Sequence, residues 1–207
     1  MYGEVLLARV GDKQFDHGTA SSLFRFRKDV FSERLGWNLN CIKDMEMDEY
    51  DFMKPLYLVA KEGKSVRGCA RLLPTTGRYM VKDKFSDYFK GEEMPSNNKI
   101  WELSRFAATP GKFGSYIDHS LNPVTIGLFH KVYYFAIEHN IERYLVVTSL
   151  GMERLMRRAG LGMRRFGDGI AKRIGGDLAV ACWLDINEGF AQFVFETSGE
   201  QYMREAA

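Results

Sequence analysis

A run of acidic residues in the N-terminal third of the chain is a candidate binding site for a cationic ligand. Five acids fall within the eight residues 44–51, and no base interrupts them. A charge run of this kind is usually a solvated loop. Grouped carboxylates also attract a cation such as an ammonium or a sulfonium. The sequence leaves both interpretations open, and Asp48 and Asp51 are the candidate ligands.

Arginines within apolar segments are a second candidate set. Arg71 lies in the apolar run 66–73, and Arg105 lies three residues after Glu102 in the run 100–108. A guanidinium on the buried face of a strand needs a partner, which is a protein carboxylate or the carboxylate of a ligand. Strict alternation would place Glu102 and Arg105 on opposite faces, whereas a β-bulge between them would bring both to one side. An ordinary buried Glu–Arg pair is the alternative.

A third set combines arginines with aromatic residues. Arg27, Phe31 and Arg34 stand at i, i+4 and i+7, which is one face of a helix, and Trp37 follows them. These residues suit the wall of a binding pocket. The alternative is a helix that packs Phe31 and Trp37 into the core while its arginines extend to water.

The segments that must position these residues carry both strand and helix patterns. Strands are predicted at 4–10, 56–61, 66–73, 100–108, 144–149 and 178–185, and helices at 18–36, 82–90, 122–140, 151–159 and 187–205. A hairpin followed by alternating strands and helices predicts a single domain, residues 1–207. We expect an α/β/α sandwich with a mixed, mostly antiparallel central sheet.

Composition narrows the class of protein. The chain has 207 residues, is 45% hydrophobic and carries a formal net charge of +2, which is typical neither of a disordered chain nor of a nucleic-acid-binding protein. No run approaches the ~18 apolar residues of a membrane span, and we find no signal peptide. The histidines have no metal-binding spacing. We therefore expect a cytoplasmic monomer without a metal, and we expect each cysteine to be buried: Cys41, Cys69 and Cys182.

Taken together, these motifs resemble those of the acyl-homoserine-lactone synthases, the bacterial autoinducer synthases of quorum sensing. The resemblance covers roughly residues 4 to 185. It rests on Arg27, Phe31 and Trp37, on Asp48-Glu-Tyr-Asp51, on Gly68-Cys-Ala-Arg71-Leu-Leu-Pro-Thr-Thr-Gly77, and on Trp101-Glu-Leu-Ser-Arg105-Phe. The resemblance implies a fold related to the N-acetyltransferases.

The resemblance also implies a reaction. Such enzymes transfer an acyl group from acyl carrier protein to the amine of S-adenosylmethionine, which is a substrate, so no cofactor is expected. The methionyl carboxylate then attacks its own γ-carbon, releases methylthioadenosine and closes a lactone. By resemblance, Glu102 is the candidate general base and Arg105 a second catalytic residue. Structural support of the loop is the rival role for Asp48, Asp51 and Arg105. The candidate S-adenosylmethionine ligands are Arg27, Phe31, Trp37, Asp48, Asp51 and Arg71.

An acyl pocket is expected between the sheet and the helix at 122–140. Its candidate walls are Val146, Thr148, Met152 and Leu155. Thr148 matches a position where the family often has a threonine that is linked to 3-oxo acyl chains. The alternative is an ordinary strand threonine.

Residues 151–173 form a basic segment with seven basic and two acidic residues. Acyl carrier protein is acidic, so this segment is its candidate dock through Arg154, Arg157, Arg158 and Arg165. A solvated helix face is the alternative, and we expect no nucleic-acid partner. Residues 157–162 also match the R-x-x-G-x-G pattern of coenzyme A binding, although Gly160 suits a helix C-cap better. An acetyl-coenzyme-A-type N-acyltransferase is therefore the second candidate enzyme.

Overall fold

The structure is a computed structural model, and it describes residues 4–109 and 121–198. Strands in this part of the chain form an eight-stranded sheet, in the order β1-β4-β5-β6-β7-β10-β8 with β9 also paired to β10, and a small β2–β3 hairpin. The strands are β1 Val5–Ala8, β2 Cys41–Ile42, β3 Met45–Glu46, β4 Leu56–Glu62, β5 Ser65–Pro74, β6 Ile100–Ala108, β7 Arg143–Ser149, β8 Met163–Arg165, β9 Lys172–Ile174 and β10 Asp177–Asp185.

Helices cover both faces of the large sheet. They are α1 His17–Arg27, α2 Met80–Phe85, α3 Pro123–Glu138, α4 Leu150–Arg158 and α5 Glu188–Thr197, with a π-helical segment at Lys28–Arg34 and a 3-10 helix at Glu49–Met53. Two apolar clusters pack α1 and α2 against one face, and a third packs α3, α4 and α5 against the other. The predicted α/β/α sandwich is confirmed. No helix within the described ranges is long and apolar enough to cross a bilayer.

Alternation along β4 explains why the sheet is buried on both sides. Tyr57 and Val59 pack in the cluster beneath α1, whereas Leu58 and Ala60 pack in the cluster beneath α3. A strand covered on both faces is apolar at successive positions, and this accounts for the continuous apolar run in the sequence.

Several elements differ from the prediction. The helix expected at 18–36 is α-helical to Arg27 and then widens into the π-helical segment, with Gly36 in the left-handed region at φ +64° just beyond it. The short strands β2, β3, β8 and β9 were not predicted, because two or three residues carry too little periodicity. The helix predicted at 187–205 corresponds to α5, which ends at Thr197. The predicted residues 199–205 lie outside the described part of the chain.

The centre of the sheet opens between β6 and β7. These two strands are parallel and pair from Ile100↔Arg143 to Leu103↔Val146, after which the pairing stops. All other pairs in the described sheet are antiparallel. The divergence of two neighbouring strands leaves a cleft in the middle of the sheet, lined by backbone and side chains from both.

A β-bulge in β6 lies at this cleft. The pairing with β5 shifts between Cys69↔Ala107 and Arg71↔Ser104. An advance of three residues along β6 therefore matches an advance of two residues along β5. Arg105 in the bulge has φ +51°. Its side chain therefore joins those of Glu102 and Ser104 on the α1 and α2 face, where strict alternation would have turned it away. Of the two arrangements that the sequence left open for Glu102 and Arg105, the structure has the bulge.

Candidate active site

An ionic cluster lies beside the end of α1, on the same face as the bulge. Its arginines come from α1, β5 and β6, and its carboxylates come from the segment that runs from β3 into the 3-10 helix. The members are Arg27, Arg71, Arg105, Glu46, Asp48 and Asp51, whose formal charges cancel. The acidic run is therefore not a uniformly solvated loop, because three of its members pair with buried arginines.

Asp51 is at the buried centre of this cluster. Arg27 donates to both of its carboxylate oxygens, from Nη1 at 2.7 Å and from Nη2 at 3.0 Å, and Arg71 Nη1 donates at 2.9 Å. The hydroxyl of Tyr57 adds a bond of 2.6 Å. Burial opposes ionisation of Asp51, yet Arg27 and Arg71 hold its pKa well below the ordinary 3.8. Asp51 is therefore ionised at neutral pH and anchors two arginines.

Glu46 is a member of the cluster that was not among the candidate site residues. It accepts from Arg27 Nε at 2.5 Å and from Arg105 Nη2 at 2.9 Å, and its side chain is 1% exposed. Burial would raise its pKa, but Arg105 and Arg27 lower it. The signal for Glu46 was its place in the acidic run. Its burial depends on the two-residue strand β3, which the sequence does not reveal.

Asp48 and Arg105 form the accessible edge of the cluster. The Asp48 side chain is 14% exposed, and its Oδ2 accepts from Arg105 Nη2 at 2.9 Å. Its Oδ1 accepts from Arg71 and, at 3.0 Å, from the backbone N–H of Tyr50 at the start of the 3-10 helix. A carboxylate and a guanidinium thus face a cavity together, while the other cluster members hold them from behind.

Glu102 stands apart from the ion pairs. It is fully buried, and its Oε2 accepts the backbone N–H of Val81 at 2.7 Å, whereas its Oε1 has no partner among the described residues. Burial raises its pKa above the ordinary 4.5, although Arg71 opposes this. A carboxyl group with a raised pKa and an unused oxygen is a stronger proton acceptor than an ordinary glutamate.

The first of two adjoining cavities, here called the cleft cavity, fills the gap between β6 and β7. It encloses about 210 Å³ and is mostly apolar. Of the predicted acyl-pocket residues, Val146, Thr148 and Met152 line it, and so does Ser104 on the facing strand. Leu155 lies elsewhere, because the turn of α4 directs it to a groove shared with α3 and α5.

The second cavity, here called the loop cavity, has a volume of about 380 Å³ and lies over the accessible edge of the ionic cluster. The charged residues that line it are Glu46, Asp48, Glu49, Lys84 and Arg105, and the segment 38–40 closes one side. Arg27, Asp51 and Arg71 line neither cavity. They are placed to support the residues that do.

The two cavities share a wall. Trp37, Met80, Phe85, Arg105 and Ile174 line both of them. Phe31, which lines the cleft cavity, packs against Trp37 with ring centroids 5.4 Å apart and lies under the guanidinium of Arg105 at 5.6 Å. A mostly apolar cavity and a cavity with several charged residues in its wall therefore meet at one place, as a reaction between an apolar and a charged substrate requires.

The basic segment 151–173 is less free than its composition suggests. Arg165 binds the buried carboxylate of Glu153 at 2.9 and 2.8 Å, and Arg157 donates to the same group at 3.2 Å. Arg154 and Arg158 are exposed and form no ion pair with a carboxylate in the described residues. The candidate dock is thereby reduced to these two side chains, because Arg165 of β8 is bound to Glu153 of α4 and Arg157 pairs with the same carboxylate within α4.

Two further expectations can be compared with the structure. Gly160 follows α4 at φ +80° and leads into β8, so residues 157–162 close a helix and do not open one onto a phosphate.

Among the cysteines, Cys69 and Cys182 are buried as expected, but Cys41 is exposed. The expectation for Cys41 was wrong, because both residues of β2 are exposed while β3 is the strand of the hairpin that faces the protein.

Comparison with known sequences gives a consistent result. A sequence model of the autoinducer synthase family matches residues 12–193. An acyl-homoserine-lactone synthase of Vibrio anguillarum is 39% identical over 175 residues, covering 82% of this chain and 87% of that protein. One from Pseudomonas aeruginosa is 35% identical over 186 residues, covering 88% and 90% respectively.

Solved structures agree with the sequence matches. The crystal structure of the AHL synthase LasI superposes with a TM-score of 0.82 at 34% identity, covering 93% of this chain and 94% of that one. TofI in a ternary complex with an inhibitor and MTA gives 0.76 at 29% identity, covering 93% and 96%. BjaI, a CoA-dependent acyl-homoserine lactone synthase solved with SAM and isopentyl-CoA, shares the fold at 23% identity, with a TM-score of 0.78 and coverage of 93% and 87%.

Proposed function

The chain belongs to the autoinducer synthase family and is an acyl-homoserine-lactone synthase, and we propose that it joins S-adenosylmethionine to an acyl group carried by acyl carrier protein. The observation that carries this proposal is the pair of cavities with a common wall. One is apolar and fits an acyl chain, and the other is lined by charges and fits a zwitterionic cation. The two substrates would meet beside Trp37 and Arg105.

S-adenosylmethionine is assigned to the loop cavity. Its ammonium and sulfonium are cations that the carboxylate of Asp48 attracts, and its carboxylate suits the guanidinium of Arg105. Arg27, Asp51 and Arg71 act as positioning residues that do not line the cavity. Arg71 and Asp51 bind Asp48 directly, and Arg27 binds the Glu46 carboxylate to which Arg105 donates. The carboxylate must stay able to leave Arg105, because it later becomes the nucleophile of ring closure.

The acyl chain is assigned to the cleft cavity, with Val146, Thr148 and Met152 among its walls. The amine attacks the thioester carbonyl, an N–C bond forms, the C–S bond breaks and the carrier thiolate leaves. The proton lost by the ammonium is assigned to Glu102. That carboxyl group lies behind Ser104, two residues along β6 on the same face, so a hydroxyl or a water must relay the proton.

Ring closure needs no further group from the protein. The methionyl carboxylate attacks its own γ-carbon, the bond from that carbon to sulfur breaks, and methylthioadenosine leaves as a neutral thioether. Because nucleophile and leaving group belong to one molecule, the folded conformation of the bound methionyl chain supplies much of the acceleration.

The test is incubation of the purified chain with S-adenosylmethionine and an acyl donor, with chromatography of methylthioadenosine and mass spectrometry of the lactone. Acyl carrier protein and coenzyme A thioesters of the same acyl group are compared as donors. We expect both products with the carrier-protein thioester, at a higher kcat/KM than with coenzyme A. A higher value with coenzyme A would reverse the donor assignment, and acylation without methylthioadenosine would contradict the reaction.

The variant Glu102→Gln tests the base. It keeps the size of the side chain, and we expect turnover to fall by about 100-fold or more with the fold retained, since general bases typically contribute factors of that order. Normal turnover in a folded Glu102→Gln variant would remove Glu102 from the mechanism.

A further inference from the structure

The turn between β9 and β10 packs closely against Trp37, leaving no room for a side chain at Gly175. Gly175 in this turn has φ +61°, and a Cβ atom added to it would lie 2.9 Å from Trp37 Cδ1 and 3.5 Å from Trp37 Cα. Contacts under 3.0 Å between a Cβ and another heavy atom force one partner to move. Only glycine at this position therefore allows the turn and the indole to occupy their present places.

The indole of Trp37 is fixed by packing and not by a hydrogen bond of its own. Its Nε1 is buried without a partner in the described residues. The backbone N–H of Trp37 donates to the carbonyl of Phe31 at 2.9 Å, and the ring of Phe31 covers one side of the indole. Gly175 contacts the Cδ1 edge. The position of the indole thus depends on two contacts, one from the π-helical segment and one from the β9–β10 turn.

We propose that Gly175 is a positioning residue that sets the location of Trp37 in the wall between the two cavities, and through it the fit of S-adenosylmethionine. The inference rests on the proposed function, since it assigns the loop cavity to this substrate. Gly175 and Trp37 both line that cavity, and Trp37 also lines the cleft cavity. A displaced indole would change the chamber in which the amine approaches the thioester.

Gly63 offers a matched control. It lies in the turn between β4 and β5, has the same φ of +61°, and has no heavy atom within 4 Å of an added Cβ. Gly63→Ala and Gly175→Ala therefore introduce the same left-handed strain for an L-residue, but only Gly175→Ala presses on Trp37. The difference between the two variants isolates the contact.

The experiment measures steady-state kinetics and the ¹⁹F NMR spectrum of protein labelled with 5-fluorotryptophan. The chain has three tryptophans, and the signal of Trp37 is identified by its loss in Trp37→Phe. We expect Gly175→Ala to shift the Trp37 signal and to raise KM for S-adenosylmethionine by about tenfold relative to Gly63→Ala. Identical spectra and kinetics for the two alanine variants would overturn the proposal.

A double-mutant cycle covers the case in which Gly175→Ala folds poorly. Trp37→Ala removes the indole with its Cγ and Cδ1 atoms, so Gly175→Ala should cost no more in that background than Gly63→Ala does. An undiminished cost, measured as the shift in urea midpoint, would refute the contact. If the unaltered chain formed no lactone, the proposed function would fail, whereas the NMR shift would still decide whether Gly175 positions Trp37.

Discussion

At the scale of single residues, burial decides which members of the ionic cluster support the site and which contact a ligand. Asp51 and Asp48 belong to the same acidic run and the same 3-10 helix cap, yet Asp51 is enclosed by Arg27 and Arg71 while Asp48 reaches the loop cavity. Removing one partner of a buried ion pair leaves an uncompensated charge, which costs far more than the loss of an exposed pair.

We therefore predict that Asp51→Asn lowers the free energy of unfolding by about 3–5 kcal/mol, measured by urea denaturation at pH 7. Asp44→Asn is the control, because Asp44 pairs with Lys28 but its side chain is 63% exposed. It should change stability by less than about 0.5 kcal/mol. Equal effects of the two substitutions would mean that the buried cluster contributes nothing beyond a surface ion pair.

The pH dependence of this difference has a definite sign. The folded-state pKa of Asp51 is lowered from 3.8, so its contribution to stability is fully present above that value and is lost as the pH falls below it. The gap between Asp51→Asn and the unaltered chain should therefore narrow below about pH 4. A gap that stayed constant down to pH 2.5 would contradict the lowered pKa.

At the scale of elements, α3 packs closely against β5 on the face of the sheet opposite α1, next to the cleft. A Cβ added at Gly68 would lie 2.6 Å from Val124 Cγ1 and 3.1 Å from both Leu128 Cδ1 and the carbonyl oxygen of Ala107. Ala107 lines the cleft cavity and belongs to β6 just after the bulge. Glycine thus lets α3 approach the strand pair whose irregular pairing positions Arg105.

Gly68→Ala should destabilise the protein by about 1–3 kcal/mol, the usual cost of overpacking a filled core. Gly77→Ala, at a position with no heavy atom within 4 Å of an added Cβ, should be near neutral. Urea denaturation of both variants gives the comparison. A neutral Gly68→Ala would mean that α3 shifts without cost, and the close approach would then have no role in holding the sheet.

At the scale of the whole molecule, a net charge of +2 is the sum of an acidic run at 44–51, a basic segment at 151–173 and the rest of the chain. The two regions differ in how far their charges are paired in the fold. The acidic run is matched by arginines from elsewhere in the chain, whereas the basic segment keeps Arg154 and Arg158 free of carboxylate partners among the described residues. The charge available to an acidic partner is therefore smaller than the composition of that segment indicates. Besides α4 it includes the exposed Arg173 of β9, which has no carboxylate partner among the described residues.

Charge reversal at Arg154 tests this reduced surface. Arg154→Glu should raise KM for acyl carrier protein by about threefold to tenfold at low salt, and the effect should shrink as salt screens exposed charges. Lys131→Glu makes the same change on the exposed side of α3 and should leave KM unaltered. An equal rise in both variants would indicate a general effect of net charge and not a dock on α4.

The sequence by itself determined the kinds of element and the family, and it indicated candidate residues for the site. Apolar runs and turn residues predict the elements, and the order and spacing of the motifs carry the resemblance to the family. Arg71 and Arg105 stand out because arginines in buried strands need partners. Only the tertiary structure decided which partner each one has. The bulge at Arg105 reverses a face that alternation would assign, β3 buries Glu46, and α4 turns Leu155 away from the cleft. Each depends on contacts between segments distant in sequence, which local periodicity does not encode.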